Sequence, residues 1–454
     1  MYKIKLAPDV EAEMLNSSFW SDKLKNEKLL TAAEIKEINQ KIYNKAAEEN
    51  KEEYYCDLKK FADNLIENKI AVMIDHTFTR KIDAEKNYYN LEGDLLSLEK
   101  REEILANAKF NSEAAAKIKY GILIKRSKIR ALPTVITFAS EKESGDQDLL
   151  QLTALACGTA AVIMAESRDQ NWYYIQTKLM RGWVKKDNIA LTDSLEAALS
   201  YLESESFLVV SGSRVETEPN PFDQDTANRY FQMGDKIPLV EQEGTVQEET
   251  VEEIPENHPH GQSKLGNYLI WLPTKDKNNN LKYKKGLISA ANDLNEGYLD
   301  FKRENIVKQA FKMLGERYDW GGKYERRDCS RFIMDVFRSF GIELPRNADL
   351  QEKLSPFENY IFSGNSKERR TVLKKLKAGD ILHLPGHIML YLGEYQHKNY
   401  LIHAASGYGE LDEQGKLKKN SIRSVFIMKL EQLLKDGANT YLEKFSSASK
   451  IKIM

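Results

Sequence analysis

Residues 327–332 read Arg-Asp-Cys-Ser-Arg-Phe, and this stretch decides the fold of the last third of the chain. Apolar residues recur after it at helical spacing up to Gly341, so we predict a helix whose first turn carries Cys329. Two β-rich runs follow, residues 386–393 (Gly-His-Ile-Met-Leu-Tyr-Leu-Gly) and residues 401–405 (Leu-Ile-His-Ala-Ala), with one histidine in each. A cysteine nucleophile needs a neighbouring base and a group that orients the base. The sequence therefore predicts a cysteine hydrolase.

The position of Cys329 supplies part of the activation that a thiol requires. A free cysteine is only a few per cent thiolate at neutral pH. The unpaired N–H groups and the dipole at the start of a helix stabilise the charged form. Asp328 is the predicted N-cap, although its charge acts against the thiolate. We therefore expect an imidazolium to provide the rest, as a thiolate–imidazolium pair with a bell-shaped pH profile.

His387 and His403 are predicted to lie on adjacent strands. A hairpin centred on Tyr395 would place them directly opposite each other, with Cβ atoms about 5 Å apart on one face. A slip of one residue would turn them to opposite faces. We assign Cys329 as the nucleophile, His387 as the general base and later acid, and His403 as the group that orients His387. The backbone N–H of Cys329 is the expected oxyanion donor.

A zinc site is the alternative for the histidines. His383 would share the face of His387 if one strand ran through both, and together with His403 they could bind zinc. Pro385 is expected to break that strand, and no acidic ligand stands nearby. The three cysteines of the chain form no CxxC pair, so neither a disulfide framework nor a structural zinc site is indicated. We predict no metal and no cofactor.

Composition indicates a soluble protein with several domains. The chain has 454 residues, of which 41% are hydrophobic and 30% charged, so it is too long for one core and ordinary for a globular protein. No apolar run approaches the roughly 18 residues that span a bilayer, so no transmembrane segment is predicted. Residues 1–8 contain no apolar signal-peptide region. Two locations stay open: the cell envelope if a leader was removed, or the cytoplasm if Met1 is the native start.

Charge is distributed unevenly along the chain. From residue 301 onward there are 28 Lys and Arg against 19 Asp and Glu, and the preceding part is acidic. A basic domain suits an anionic substrate, nucleic acid included, although lysine-rich helix faces explain the same count. No phosphate loop or nucleic-acid motif is present, so no nucleic-acid partner is predicted. The acidic stretch 241–257 is predicted to be an exposed loop.

The rest of the chain divides by periodicity. Residues 1–115 have a helical pattern, with a capping box that begins at Thr31. Short β-rich runs separated by turns, within residues 116–198 and again within 199–298, predict two small barrels. From residue 299, a helix, the nucleophile helix and antiparallel strands predict an α+β domain.

Longer patterns resemble those of a known family. Residues 318–322 (Tyr-Asp-Trp-Gly-Gly), 328–330 (Asp-Cys-Ser), 386–393 and 402–404 (Ile-His-Ala) resemble the NlpC-type papain-like cell-wall cysteine peptidases. Residues 340–347 resemble a branch with an N-terminal helical clip and two bacterial SH3-like barrels. The resemblance implies a multidomain α+β fold. Its expected domains are a helical clip at 1–115, a first SH3-like barrel at 116–198, a second at 199–298 and a papain-like α+β peptidase domain at 299–454.

The resemblance also implies a substrate. Such enzymes hydrolyse the bond between γ-D-glutamate and a diamino acid in peptidoglycan stem peptides (muropeptides). Tyr318, Asp328 and Ser330 match positions that line the pocket for L-Ala-γ-D-Glu, and the first barrel of related enzymes walls off the site, so that a free N-terminal L-alanine is required. Arg331 replaces the glycine common after the Asp-Cys-Ser motif, which implies a narrower or more basic entrance.

Two other functions stay open. One is a wall-binding module whose peptidase domain is catalytically silent, and the other is an acyltransferase or amidase on the same fold. The sequence leaves undecided whether the diamino acid is diaminopimelate or lysine, and whether the protein remodels the wall or recycles shed peptides.

Overall fold

The protein is described here from a computed structural model, which defines residues 6–451 except 25–27, 50, 52, 67–68, 80–81, 84, 110–117, 143–146, 241–260, 263 and 436. The helices are α1 (Ser17–Ser21), α2 (Ala32–Glu48), α3 (Leu58–Asp63), α4 (Ile70–Thr79), α5 (Leu98–Ala108), α6 (Leu195–Glu203), α7 (Arg303–Phe311), α8 (Cys329–Arg338), α9 (Ala348–Lys353), α10 (Ser366–Leu373) and α11 (Tyr441–Lys444).

The strands are short in the middle of the chain and longer near its end. They are β1 (Lys119–Leu123), β2 (Ser127–Arg130), β3 (Gln151–Leu155), β4 (Ala160–Glu166), β5 (Trp172–Gln176), β6 (Arg181–Lys185), β7 (Ile189–Thr192), β8 (Phe207–Val210), β9 (Arg214–Glu216), β10 (Tyr230–Gln232), β11 (Lys236–Pro238), β12 (Asn267–Lys275), β13 (Leu281–Ser289), β14 (Leu294–Glu296), β15 (Glu358–Ile361), β16 (Ile381–Leu384), β17 (His387–Tyr395), β18 (Lys398–Leu411), β19 (Leu417–Lys429) and β20 (Ser447–Lys450).

The chain forms two compact units. One consists of Met1–Lys51 and Leu299–Met454, and the other of Glu52–Tyr298. The predicted helical region 1–115 is thus divided between them. The exact domain boundaries given above stay predictions.

The central unit contains the two sets of predicted barrel strands. β1 to β7 form one antiparallel sheet in the order β3-β2-β6-β5-β4-β1-β7, around a core that includes Tyr174 and Trp183 with ring centroids 5.2 Å apart. β8 to β14 form three smaller sheets, and a bridge between Leu239 and Ile270 joins two of them. The predicted acidic loop 241–257 lies outside the described residues.

The other unit contains the predicted α+β domain. Its sheet is antiparallel, in the order β15-β20-β16-β17-β18-β19, and α8 packs on β17 and β18. Phe332, Ile333, Val336 and Phe337 of α8 are buried, as their spacing predicts. The order of helix, nucleophile helix and antiparallel sheet is therefore confirmed, and the chain has a multidomain α+β fold.

The N-terminal segment of this unit packs against its C-terminal part. α2 begins with the predicted capping box, in which Thr31 and Glu34 each cap the other's backbone N–H. On the face of α2 that meets the rest of the unit, the Asn39 side-chain amide donates to the Gly341 carbonyl at 2.9 Å and accepts from the Glu343 N–H at 2.9 Å. These bonds attach α2 to the turn that follows α8.

Within the described part of the chain, we find no helix with the length and apolarity required to cross a bilayer.

Candidate active site

Cys329 is the first residue of α8 and is almost completely buried. Asp328 is the N-cap, as predicted, and accepts the N–H of Arg331 at 2.9 Å. The other carboxylate oxygen of Asp328 accepts the N–H of Gly321 at 3.1 Å, which joins the preceding loop to the start of α8. As the N1 residue, Cys329 has a backbone N–H with no carbonyl one turn earlier to receive it. The predicted oxyanion donor is thus located beside the sulfur.

Asp328 forms a buried ion pair that sequence reasoning missed. Arg346 donates to both of its carboxylate oxygens, at 3.0 and 2.5 Å. Burial alone would raise the pKa of Asp328, but the Arg346 charge and hydrogen bonds outweigh it and lower that pKa. Ser330 completes the cluster, because its hydroxyl donates to Asp328 at 3.2 Å and accepts from Arg346 at 2.9 Å. The substrate-binding roles of Asp328 and Ser330 stay predictions, but both side chains also hold the start of α8.

The Arg331 side chain forms an ion pair within α8. It is buried and donates to Asp335 one helical turn later, at 2.6 Å. Asp335 also accepts from the buried Arg327 at 2.8 Å. This side chain therefore neutralises a buried carboxylate, and its effect on the entrance stays a prediction.

The strands β17 and β18 bring the two histidines together. Nε2 of His387 and Nδ1 of His403 are 2.9 Å apart, and their ring centroids are 5.1 Å apart. His403 is completely buried and His387 half-buried. The predicted pairing of these two imidazoles is present.

The register that produces this contact differs from the predicted one. Leu390 pairs with Ile402, and extending that register places His403 opposite Met389 instead of opposite His387. The difference arises from a bulge between Tyr391 and Gly393 and from a hairpin turn at Gln396–His397, whose φ angles are +48° and +60°. Because the shift is two residues, both histidines keep the same face and meet as diagonal neighbours.

His383 does not join this pair. It lies on β16, which turns at Pro385–Gly386 into β17, and it pairs there with Ile388. Since Leu384 pairs with His387, His383 points to the opposite face of the sheet, and its Nε2 is 2.9 Å from the hydroxyl of Ser449. Among the residues that the structure describes, no group of three or more His, Cys, Asp or Glu could hold a metal ion.

Because the site is buried, the charged forms of Cys329, His387 and His403 are disfavoured. Burial, together with the Asp328 charge, raises the pKa of Cys329 to about 12, against a hydrogen bond from the Ile388 N–H. Burial also lowers the pKa of His387 to about 4, and the Asp328 charge only partly offsets this. The pKa of His403 is lowered further, by burial and by its neighbour His387. Burial therefore favours a neutral thiol and neutral imidazoles in the resting site and acts against the predicted thiolate–imidazolium pair.

Tyr318, the third predicted substrate residue, lies beside this cluster. Its N–H donates to the carbonyl of Arg423 at 2.8 Å, which attaches it to the edge strand β19. Burial raises the pKa of its hydroxyl, and the nearness of Cys329 and Asp328 adds to that increase. Tyr318 is therefore close to Cys329, the predicted nucleophile, and its role in binding stays a prediction.

Two aromatic residues that sequence reasoning missed enclose the second imidazole. The rings of Phe426 and Tyr441 have centroids 4.6 and 5.7 Å from that of His403. Phe426 is the direct cross-strand neighbour of His403, and Tyr441 begins α11. No local sequence signal relates Tyr441 to His403, because the contact depends on how the chain returns after β19.

Two parts of the chain match known protein families. Residues 315–425 match the NlpC/P60 family, and residues 137–185 match an SH3 domain of the SH3b1 type. A curated relative, dipeptidyl-peptidase 6 of Lysinibacillus sphaericus, is 29% identical over 126 residues, which are 26% of this chain and 41% of the relative. This chain therefore spans about two fifths of that relative's length.

The solved structures that resemble this chain include one with the same fold. An NlpC/P60 endopeptidase from Photobacterium damselae subsp. piscicida has a TM-score of 0.71 at 18% identity, covering 99% of this chain and 98% of that one. An NlpC/P60 family protein from Bacillus cereus has a TM-score of 0.42 at 16% identity, covering 66% of this chain and 82% of that one.

Proposed function

Because the chain carries an NlpC/P60 peptidase domain at its C-terminus and an SH3b domain before it, we propose that it hydrolyses the γ-D-glutamyl–diamino acid bond of peptidoglycan stem peptides. The observation that carries the proposal is the contact between His387 and His403, together with the hydrogen bond from the N–H of Ile388, the residue after His387, to Cys329 at the start of α8. Stem peptides with a free N-terminal L-alanine are the proposed substrates.

The proposed reaction begins from neutral groups. Nε2 of His387 is bonded to His403, so its Nδ1 is the nitrogen left to take the thiol proton. The sulfur of Cys329 attacks the carbonyl carbon of the γ-glutamyl bond, and the Cys329 N–H stabilises the oxyanion. His387 then protonates the leaving amine, and the acyl group stays on the sulfur as a thioester. Water, deprotonated by His387, releases the γ-D-glutamyl product and restores the thiol.

His403 has an orienting role in this reaction. It accepts the Nε2 proton of His387, and this bond fixes both the ring plane and the tautomer of the base. Because both rings are neutral at rest, the proton that His387 takes from Cys329 creates the imidazolium only during attack. The charge pair then forms within a largely buried site, where opposite charges attract more strongly than in water.

Tyr318, Asp328 and Ser330 are the proposed contacts for the L-Ala-γ-D-Glu part. The curated relative is named a dipeptidyl-peptidase, and cleavage after L-Ala-γ-D-Glu likewise releases a dipeptide. Removal of a dipeptide requires recognition of a free amine, and a carboxylate is the group that binds an ammonium best. Asp328 is neutralised by Arg346, so the Tyr318 hydroxyl is proposed to share this task.

Mass spectrometry of cleaved peptides tests the proposal. L-Ala-γ-D-Glu-diaminopimelate and its N-acetylated form are incubated with wild type, with Cys329→Ala and with Cys56→Ala, a buried cysteine of the other unit. We expect release of the diamino acid from the free peptide with wild type and Cys56→Ala only. Cleavage of both peptides would remove the free-amine requirement. If neither peptide is cleaved, the wall-binding module becomes the favoured function. If the dipeptide is transferred to an added amine instead of water, the acyltransferase becomes the favoured function.

A further inference from the structure

The second imidazole has one nitrogen without a polar partner. His403 is fully buried, and its Nδ1 contacts His387, but no described residue makes a hydrogen bond with its Nε2. The described surroundings of this ring are aromatic. Phe426 is inclined at 60° to it and Tyr441 at 75°, so both are edge-to-face neighbours.

A neutral imidazole carries one proton, so the pair has two arrangements. In the first, His403 is protonated at Nε2, its Nδ1 accepts from His387, and the Nδ1 of His387 offers a lone pair to the thiol. In the second, His403 is protonated at Nδ1 and donates to Nε2 of His387. The proton of His387 is then on Nδ1, and that ring cannot act as a base toward Cys329. Only the first arrangement is catalytically competent.

We propose that Phe426 and Tyr441 are positioning residues that hold His403 in the Nε2–H tautomer, and thereby hold His387 as a competent base. An N–H can make a weak favourable contact with the negative face of an aromatic ring. If Nε2 of His403 instead carried a lone pair, this lone pair would be repelled by the negative face of the aromatic ring, and no hydrogen-bond donor would compensate. The catalytic consequence rests on the proposed function, whereas the tautomer itself does not.

Backbone contacts fix the positions of both rings. Phe426 is the direct cross-strand partner of His403 between β18 and β19. The Tyr441 hydroxyl donates to the carbonyl of Gly407 at 3.2 Å, so it is engaged with the backbone. Tyr441 also begins α11, whose capping box joins Thr440 and Glu443. The two rings are therefore held by the backbone beside the His403 ring.

Nitrogen-15 NMR of the full chain, labelled only at its seven histidines, measures the tautomer directly. The His403 signals are identified by their loss in His403→Asn. We expect the shift pattern of an Nε2–H imidazole for His403 and for His387. A wild-type His403 protonated at Nδ1 would overturn the proposal, whatever the protein cleaves. If the tautomer is as expected and no stem peptide is cleaved, the proposed substrate fails and the tautomer assignment stands.

Matched substitutions test the role of the rings. Phe426→Leu and Tyr441→Leu keep apolar volume but remove the aromatic face, whereas Phe445→Leu removes a ring of the same core that pairs with Phe362 at 5.4 Å. We expect Nδ1–H signals to appear in the first two variants, and kcat to fall about tenfold with the fraction of competent base. Tyr441→Phe keeps the ring and should keep the tautomer. Two results would refute the positioning role. One is that, at equal folded fraction, Phe426→Leu and Tyr441→Leu lose no more kcat than Phe445→Leu. The other is that they lose kcat without a change of tautomer.

Discussion

Arg346→Met would remove the cation that neutralises Asp328 at the start of α8. The pair is almost fully buried, with 3% of the Arg346 side chain and 12% of the Asp328 side chain exposed, and Arg346 donates to both carboxylate oxygens. Removing one partner of a buried ion pair leaves a charge without compensation, which costs about 3–5 kcal/mol of stability. We expect the free energy required to open the start of α8, which exposes Cys329, to fall by this amount.

Alkylation of Cys329 under native conditions measures this opening. The thiol is buried in wild type, so its reaction rate with iodoacetamide reports the population of open molecules, provided that the rate is measured as a function of pH and corrected for the thiolate fraction, which the Arg346 charge also affects. A loss of 3–5 kcal/mol corresponds to a rate increase of about 10² to 10⁴. Peptide mass spectrometry separates Cys329 from Cys56 and Cys157 of the other unit, whose rates should not change.

Two controls separate this effect from a general loosening of α8. Arg338→Met removes a partly exposed arginine from the same helix, 4.0 Å from Asp335, and should change the opening free energy by less than about 1 kcal/mol. The double variant Asp328→Asn/Arg346→Met removes both charges of this pair, so it leaves no uncompensated Asp328 and should react more slowly than Arg346→Met alone. An Arg346→Met rate within tenfold of wild type, or a double variant that reacts faster than the single one, would refute the reasoning.

Three further predictions concern the histidines. His387→Ala should abolish peptide cleavage while His403→Ala keeps a residual rate, and equal, complete loss in both would remove the orienting role of His403. The kcat/KM should rise with pH, and the midpoint of this rise should lie near pH 4. The pKa of His387 is lowered to about that value, and only the neutral ring accepts a proton. A rise centred at pH 6.5 or above, or one continuing to pH 10, would contradict a neutral resting base. His383 is buried, with a folded pKa of about 4 below its unfolded value of 6.5, so stability is complete above pH 6.5 and falls by up to about 3 kcal/mol as the pH drops toward 4. His383→Asn should flatten that dependence in urea unfolding, and an unchanged slope would show that other groups cause it.

Local features of the site followed from sequence because their physics is local. An Asp before a run of apolar residues at helical spacing caps a helix, whatever the rest of the chain does, and Asp328 caps α8. The same spacing identified the buried face of α8. The shared face of His387 and His403 was also predictable, because strand alternation has a period of two and a two-residue error leaves the face unchanged.

The register between these histidines was not predictable from sequence. The hairpin turn at Gln396–His397 has positive φ at both residues, a conformation usually signalled by Asn-Gly or Asp-Gly, and neither residue carries that signal. The bulge between Tyr391 and Gly393 shifts the pairing again. Such irregularities depend on how the whole sheet packs, so propensity alone does not locate them.

By itself, the sequence determined the nucleophile helix, its cap, the faces of the strands and the resemblance to a family. Only the tertiary structure decided which groups surround the reacting atoms. Arg346 meets Asp328 from the loop after α8, and Tyr441 meets His403 from the segment after the last long strand. These contacts join residues with no fixed spacing, and their burial shifts the pKa of Cys329 upward and that of His387 downward. Desolvation is a property of the packed site, so the charge state of the catalytic pair could not be read from residue types and their order.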